Sequence, residues 1–422
     1  MKVINPATEE LIREIPEDDA KSVQEKFELL KKGHPGWAKL PVQKRVDCIQ
    51  RFYDLLLAEK DDLAKTLTAE VGKPLKESYN ELNGARARMK YFIDNSVKWL
   101  SEEWIVTEGT TKEKIVYEPF GVIANISAWN YPYLVGVNVF IPALIGGNAI
   151  LYKPSEYSTL TGLAIQNLLY KAGVPENVFQ SVIGKGNVGE ILLNLPLDGY
   201  FFTGSYRTGK YIAEKVAPKL VPIGLELGGK DPLYVMDDIA DIDKVAGAAL
   251  EGVVYNNGQS CCAVERIYVH EKIYDQFVKS YTEQAKKLVI GNPMNEKTDI
   301  GTLSRKEQQQ FLLEQVKDAK EKGATVLYGG NAINSKGYFI EPTVIEAKDP
   351  KYVTMCEEIF GPVLTIYVYD AEKFEETMEI LDSTSPYALT GSILAQDRDA
   401  VVLATAKLRN AAGNFYINDK PT

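Results

Sequence analysis

Cys261 lies in the run Asn256-Asn257-Gly258-Gln259-Ser260-Cys261-Cys262, 35 positions after Glu226 of Leu225-Glu226-Leu227-Gly228-Gly229-Lys230. A thiol can attack a carbonyl, and a carboxylate can activate water, so the two side chains together suffice for acyl transfer and hydrolysis. The chain has only two histidines, His34 and His270. An imidazole base is therefore scarce, and Glu226 is the natural candidate for base. Taken alone, Cys261 reads more often as a buried inert thiol, and Glu226 could instead be half of a structural ion pair.

Three further segments carry polar groups in positions suited to a nucleotide. Gly184-Lys185-Gly186-Asn187-Val188-Gly189 is a literal GxGxxG between a strand and a helix, although no acidic residue stands clearly after the next strand, and a tight turn with close packing explains it as well. Thr203-Gly204-Ser205 opens another strand-to-helix turn, where backbone amides and a hydroxyl could hold a phosphate. Lys153-Pro154-Ser155-Glu156 places a cation and a carboxylate after a buried strand.

The elements that must position these groups alternate. Helical spacing runs through Val46 to Leu57, and Trp104–Val106 and Ile115–Tyr117 read as two strands of a hairpin. From Gly121 onward short apolar strands (121–127, 148–153, 178–183, 200–203, 221–225) alternate with helices, among them Thr159–Lys171. Helices near 241–255, 271–287 and 306–322, with strands near Ile267 and 325–328, continue the pattern. Such alternation predicts an α/β fold with a parallel sheet covered on both faces.

The 422 residues, 45% hydrophobic, can bury a large core. A net charge of -10 disfavours nucleic acid and anionic membrane surfaces as partners and favours small molecules. Tyr131 to Tyr152 contains no charged residue, but Pro142 and Gly146-Gly147 interrupt it, so a buried helix turning into a buried strand is expected rather than a membrane span. Four scattered cysteines without CxxC spacing predict neither a disulfide framework nor a metal site, and fit the reducing cytoplasm. The N-terminus has no apolar stretch of the secretory kind. Cys48 and Cys356 are expected to be structural, Cys262 a packing or pocket-wall residue able to bond reversibly with its neighbour on oxidation, Glu357 an ordinary neighbour, and both histidines surface or loop residues.

Ala128-Trp129-Asn130-Tyr131-Pro132, Lys153 to Glu156, Gly204-Ser205, Glu226 to Gly229, Gly258 to Cys262 and Glu357-Glu358-Ile359-Phe360-Gly361-Pro362 occur in one order over nearly the whole chain. In that order they resemble the aldehyde dehydrogenase superfamily. The resemblance implies a Rossmann-like NAD-binding domain (1–103 and 119–228), a projecting oligomerisation hairpin (104–118) and an α/β catalytic domain (229–422). It implies Cys261 as nucleophile, Glu226 as base and Asn130 as oxyanion donor. Lys153 and Glu156 would hold the adenosine ribose, Gly204 and Ser205 the pyrophosphate, Glu358 and Phe360 would position the nicotinamide ribose and ring, and Trp129 would complete the cofactor site. NAD is the expected cofactor, with NADP as the alternative, because a carboxylate at the ribose repels a 2′-phosphate.

The implied reaction is oxidation of a small-molecule aldehyde through a thiohemiacetal and a thioester. The segment from Ser385 to Lys420 resembles the L-glutamate-γ-semialdehyde (1-pyrroline-5-carboxylate) dehydrogenase branch, whereas Cys262 stands where that branch places a serine. Aliphatic aldehydes and succinate semialdehyde therefore remain alternatives. Coenzyme A-acylating relatives lack the water-activating glutamate, so Glu226 argues against that chemistry. Family members continue into a glycine-rich loop and a last strand beyond the position of Thr422. The catalytic domain is thus expected to be truncated, the dimer or tetramer usual in the family to be weakened, and a non-catalytic NAD-binding protein is a further alternative.

Overall fold

The computed structural model describes residues 1–370, 372–387 and 389–420. The chain divides into two compact units: Met1–Asn5, Glu10–Val71 and Ser78–Glu226 form the first, and Pro6–Glu9, Gly72–Glu77 and Leu227–Thr422 the second. The short segments Pro6–Glu9 and Gly72–Glu77, which sequence reading placed in 1–103, thus belong with the second unit.

In the first unit β1 (Lys2–Ile4) and β2 (Leu11–Glu14) form a small antiparallel ladder. Four helices follow: α1 (Ala20–Ala38), α2 (Val42–Ala58), α3 (Lys60–Val71) and α4 (Leu75–Trp99). The expected hairpin is β3 (Glu103–Val106) paired antiparallel with β4 (Glu113–Ile115), so the second strand ends at Ile115 and leaves out Val116 and Tyr117. Then come β5 (Val122–Ile126), α5 (Pro132–Ile145), β6 (Ala149–Lys153), α6 (Thr159–Lys171), β7 (Phe179–Ser181), α7 (Gly186–Asn194), β8 (Gly199–Gly204), α8 (Tyr206–Val216) and β9 (Ile223–Leu227). The sheet order is β7-β6-β5-β8-β9, with β5 parallel to both β6 and β8.

Every residue of β6 is buried. Successive strand residues point to opposite faces, so both faces of that strand are covered. Phe140 of α5 meets Phe52, Tyr152 and Phe179 edge-on, with ring centroids 5.8 to 6.1 Å apart. Full burial of each such ring stabilises the unit by roughly 1.5–3 kcal/mol. The uncharged run from Tyr131 to Tyr152 is therefore α5 turning into β6. Among the described residues no helix is long and apolar enough to cross a membrane.

The second unit contains β10 (Asp231–Val235), α9 (Ile242–Val254), β11 (Val264–His270), α10 (Tyr274–Ala285), α11 (Lys306–Glu321), β12 (Thr325–Tyr328), β13 (Thr343–Ala347), α12 (Val353–Cys356), β14 (Val363–Tyr369), α13 (Phe374–Ser383), β15 (Thr390–Leu394), α14 (Arg398–Lys407) and β16 (Asn414–Ile417). Its sheet runs β12-β13-β14-β11-β10-β15-β16, antiparallel only between β12 and β13. Both histidines correct the expectation of surface or loop positions. His34 lies half-buried within α1, and His270 is buried at the end of β11, where Nδ1 accepts the Lys272 amide N–H.

Candidate active site

In the first unit the candidate residues collect at one edge of the sheet. Strands β5, β6 and β8 run parallel, so their carboxyl ends lie together, and the chain order reverses direction between β6-β5 and β5-β8. Ligands bind open α/β sheets at such a switch point. Trp129 and Asn130 follow β5, Lys153 ends β6, and Gly204 ends β8 with Ser205 next.

Glu81 fixes the segment that bears Asn130. Its carboxylate accepts the Tyr133 amide N–H at 2.7 Å and so caps the start of α5, where Pro132 already supplies a helix-compatible φ. Asn130 is buried, and the Trp129 ring meets Tyr157 edge-on.

Lys153 Nζ stands 4.0 Å from Glu156 Oε2. Burial lowers the lysine pKa, and the Glu156 charge opposes that shift. Ser205 caps α8 through Oγ, which accepts the Thr208 amide N–H at 3.4 Å. A Cβ at Gly204 would come within 2.5 Å of the outer edge of the Phe202 ring, so any larger residue there would have to turn that ring aside. In the GxGxxG segment Gly184 is explained by packing, because a Cβ there would meet Val188 Cγ2 at 2.2 Å. Glu226 is exposed on β9, and partial desolvation of its carboxyl raises its pKa above the ordinary value. Among the described residues it forms no ion pair.

The second unit arranges its candidates at the opposite kind of edge. Lys230 immediately precedes β10, the Cys261 segment precedes β11, and the Glu358–Phe360 segment precedes β14; these are adjacent parallel strands, so three loops gather at their amino ends. Asn256, Asn257 and Gly258 all take left-handed φ values of 50°, 60° and 70°. The side chain of Asn257 makes this turn affordable: it donates to the Gly72 and Thr302 carbonyls and accepts the Gly301 amide N–H at 2.7 Å.

Beyond that turn Tyr255 Oη donates to Ser260 Oγ at 2.7 Å, which braces the residue before the candidate nucleophile. Cys261 and Cys262 are both partly accessible, with sulfurs 3.7 Å apart and no disulfide. Cys48 is buried and its thiol faces the Gly173 carbonyl, while the half-buried Cys356 faces the carbonyl of Pro350. Glu357 is exposed and accepts from Tyr387 Oη.

The Glu358 carboxyl accepts the Gly229 amide N–H at 3.3 Å. Burial, followed by the Glu265 carboxylate and the Cys261 side chain, pushes its pKa up to about 8. Phe360 has φ 58°.

One residue here, Glu265, was not among the candidates read from the sequence. Glu265 Oε2 accepts from Lys230 Nζ and from the Ile359 amide, and Oε1 accepts from the Phe360 amide, each at 2.8 Å. A signal was present in the adjacent charges Glu265 and Arg266, set beside Val264, Ile267, Tyr268 and Val269 in the strand Val264–His270. Among the described residues no group of three or more His, Cys, Asp or Glu is placed to hold a metal ion.

The whole chain, residues 1–422, matches the model of the aldehyde dehydrogenase family. The protein belongs to that family. It is 34% identical over 424 residues to betaine aldehyde dehydrogenase of Vibrio vulnificus, covering 98% of this chain and 85% of the relative. It is 32% identical to a succinate-semialdehyde dehydrogenase [NADP(+)] of Deinococcus radiodurans, covering 98% and 86% of the two chains. The crystal structure of lactaldehyde dehydrogenase from Escherichia coli superposes with TM-score 0.94 at 30% identity, covering all of this chain and 88% of that one. This aldehyde dehydrogenase is thus an α/β oxidoreductase acting on aldehydes.

Proposed function

We propose that the chain oxidises a small aldehyde to its carboxylic acid with Cys261 as nucleophile, Asn130 as oxyanion donor and Glu226 as base. The carrying observation is the Cys261 loop, a partly accessible thiol on a left-handed turn pinned by Asn257 and Tyr255 at the head of β11. The Cys261 thiolate forms a bond to the aldehyde carbon, and the carbonyl electrons move to oxygen. The Asn130 side-chain amide and the Cys261 backbone N–H stabilise that oxyanion. The nicotinamide cofactor, when bound, supplies the two-electron acceptor that turns the adduct into a thioester. Glu226 then removes a proton from water as the water oxygen bonds to the acyl carbon, and Cys261 leaves as thiolate with release of the acid.

The donor set fits a dinucleotide. Lys153 and Glu156 suit the adenosine ribose hydroxyls. The amide-rich start of α8 with Gly204 and Ser205 suits a pyrophosphate, as helix N-termini do. Glu358 and Phe360 suit the nicotinamide ribose and ring, and Trp129 completes the site. NAD is favoured over NADP by the Glu156 carboxylate, and the NADP named for the Deinococcus relative makes the second cofactor part of the test.

The substrate proposed is a short aldehyde carrying a polar or charged group, the class to which the betaine aldehyde and succinate semialdehyde of the relatives belong. The assay is NAD reduction with these two and with glutamate γ-semialdehyde. Cys261→Ser must abolish it, and product analysis with coenzyme A present must return free acid; an acyl-coenzyme A product would overturn the role of Glu226.

A homo-oligomer is proposed on the exposed apolar side chains of the hairpin, Trp104, Ile105 and Ile115. Light scattering that finds only monomer at micromolar concentration removes this part. The four cysteines, none in a disulfide, fit the cytoplasm.

A further inference from the structure

We infer that Glu265 is a positioning residue for the cofactor, a buried splint that sets the Glu358–Phe360 loop against the Gly228–Lys230 turn. The inference rests on the proposed role of Glu358 and Phe360 in holding the nicotinamide half.

Glu265 stands four residues after Cys261 on β11, and its side chain is 3% exposed while that of Lys230 is fully buried. Removing two charges from water is costly, and the Coulomb attraction of one pair seldom repays it unless further hydrogen bonds satisfy the remaining lone pairs. Here they are satisfied by backbone. The amides of Ile359 and Phe360 converge on the two carboxylate oxygens, forming the concavity of successive N–H groups that binds anions. Phe360 is at φ 58°, a conformation that a bulky residue keeps only when its surroundings impose it.

The same carboxylate fixes the other wall. Lys230 Nζ donates to Glu265 Oε2, and the turn just before Lys230 presents the Gly229 amide to Glu358 Oε1. A Cβ on Gly228 would fall 2.1 Å from that same Glu358 oxygen, so the turn and the Glu358 side chain are in direct contact. One anion therefore ties the nucleophile's strand, the glycine turn and the Glu358–Phe360 loop into a single unit.

The geometry also dictates what substitutions do. Three donors face the carboxylate, so glutamine would turn its own NH2 toward one of them and leave a donor–donor pair. Aspartate keeps the charge beside Lys230 but draws the oxygens back by about 1.5 Å, the length of one C–C bond.

Glu265→Asp and Glu265→Gln should be compared with the parent protein in three measurements. Amide hydrogen exchange, read without cofactor, should show Ile359 and Phe360 losing protection while β10 and β11 keep theirs. Calorimetry should show NAD binding weakened about tenfold while AMP, which lacks the nicotinamide half, binds as before. A kcat lowered by up to about a hundredfold is expected from a displacement near 1 Å, with the KM for aldehyde little changed. Should Glu265→Gln fail to fold, Glu265→Asp carries the test. Unchanged exchange at Ile359 and Phe360, or equal loss of AMP and NAD binding, overturns the inference. If the parent protein oxidises no aldehyde, the proposed function falls, whereas exchange and the NAD-to-AMP comparison still decide the role of Glu265.

Discussion

Gly258 and Gly361 meet backbone to backbone: a Cβ on Gly258 would lie 2.2 Å from the Gly361 carbonyl carbon. The loop carrying Cys261 and the loop carrying Glu358 thus pack with no space for a methyl group. Gly258 also sits at φ 70°, so alanine there meets both backbone strain and a clash with main chain that cannot rotate away. Gly258→Ala is expected to cost on the order of 4 kcal/mol or more, in the range reserved for severe core lesions. Urea unfolding followed by fluorescence measures it, and a loss below about 1 kcal/mol would show that the two loops yield.

Glu226→Gln separates the two halves of the proposed reaction. Without a base the thioester forms but water attacks it slowly, so NADH should appear as a burst near one equivalent per active site, followed by a steady rate lowered about 10²–10⁴-fold. The parent enzyme adds a pH signature. Only the ionised carboxylate accepts a proton, and the Glu226 pKa is raised by desolvation. The hydrolytic rate therefore falls as pH drops through a value above 4.5, and the glutamine variant loses that limb. A variant with no burst and no change in pH profile would assign the base elsewhere.

Patterns local in sequence were readable. The helix Thr159–Lys171 was bounded in advance because Gly173 at φ 94° and Pro175 stop it, and the buried strand ending at Lys153 shows as an uncharged apolar run. Lys153 and Ser205 could be picked out because they stand at or just past the carboxyl end of a strand, whereas Asn130 was marked only by the resemblance to the family. The partners of Glu265 could not be picked out, since Ile359 and Phe360 lie 94 and 95 positions away and present backbone amides, which no residue type advertises. His270 was misjudged for a related reason: a polar residue at a strand end reads as a loop until the neighbouring strand and Tyr369 cover it.

The cofactor preference tests Glu156. Its carboxylate can accept hydrogen bonds from two ribose hydroxyls, whereas a 2′-phosphate brings like charges together. Glu156→Ser should raise kcat/KM for NADP relative to NAD by about tenfold to a hundredfold, equivalent to roughly 1.4–2.8 kcal/mol. Steady-state rates with both cofactors supply the ratio. A ratio unmoved by the substitution would remove Glu156 from the ribose site.

Asp231 gives a stability prediction whose sign can be worked out. Burial first, then the charge of Glu265, raises its carboxyl to about 7 from an ordinary 3.8, against the hydrogen bonds from the Thr390 hydroxyl and amide. Between those two values the folded state holds a proton that the unfolded state has lost. The stabilising contribution is therefore complete below about pH 3.8, declines as pH rises to about 7, and is flat above, with a total on the order of a few kcal/mol. Asp231→Asn keeps an acceptor for Thr390 and never ionises. Unfolding in urea at pH 5 and pH 8 should show the parent losing more stability than the variant across that interval, because Glu70 and Glu358, also raised, slope both proteins alike. Equal differences in the two proteins would mean that Asp231 is ionised in the fold, held by Thr390 as a buried anion.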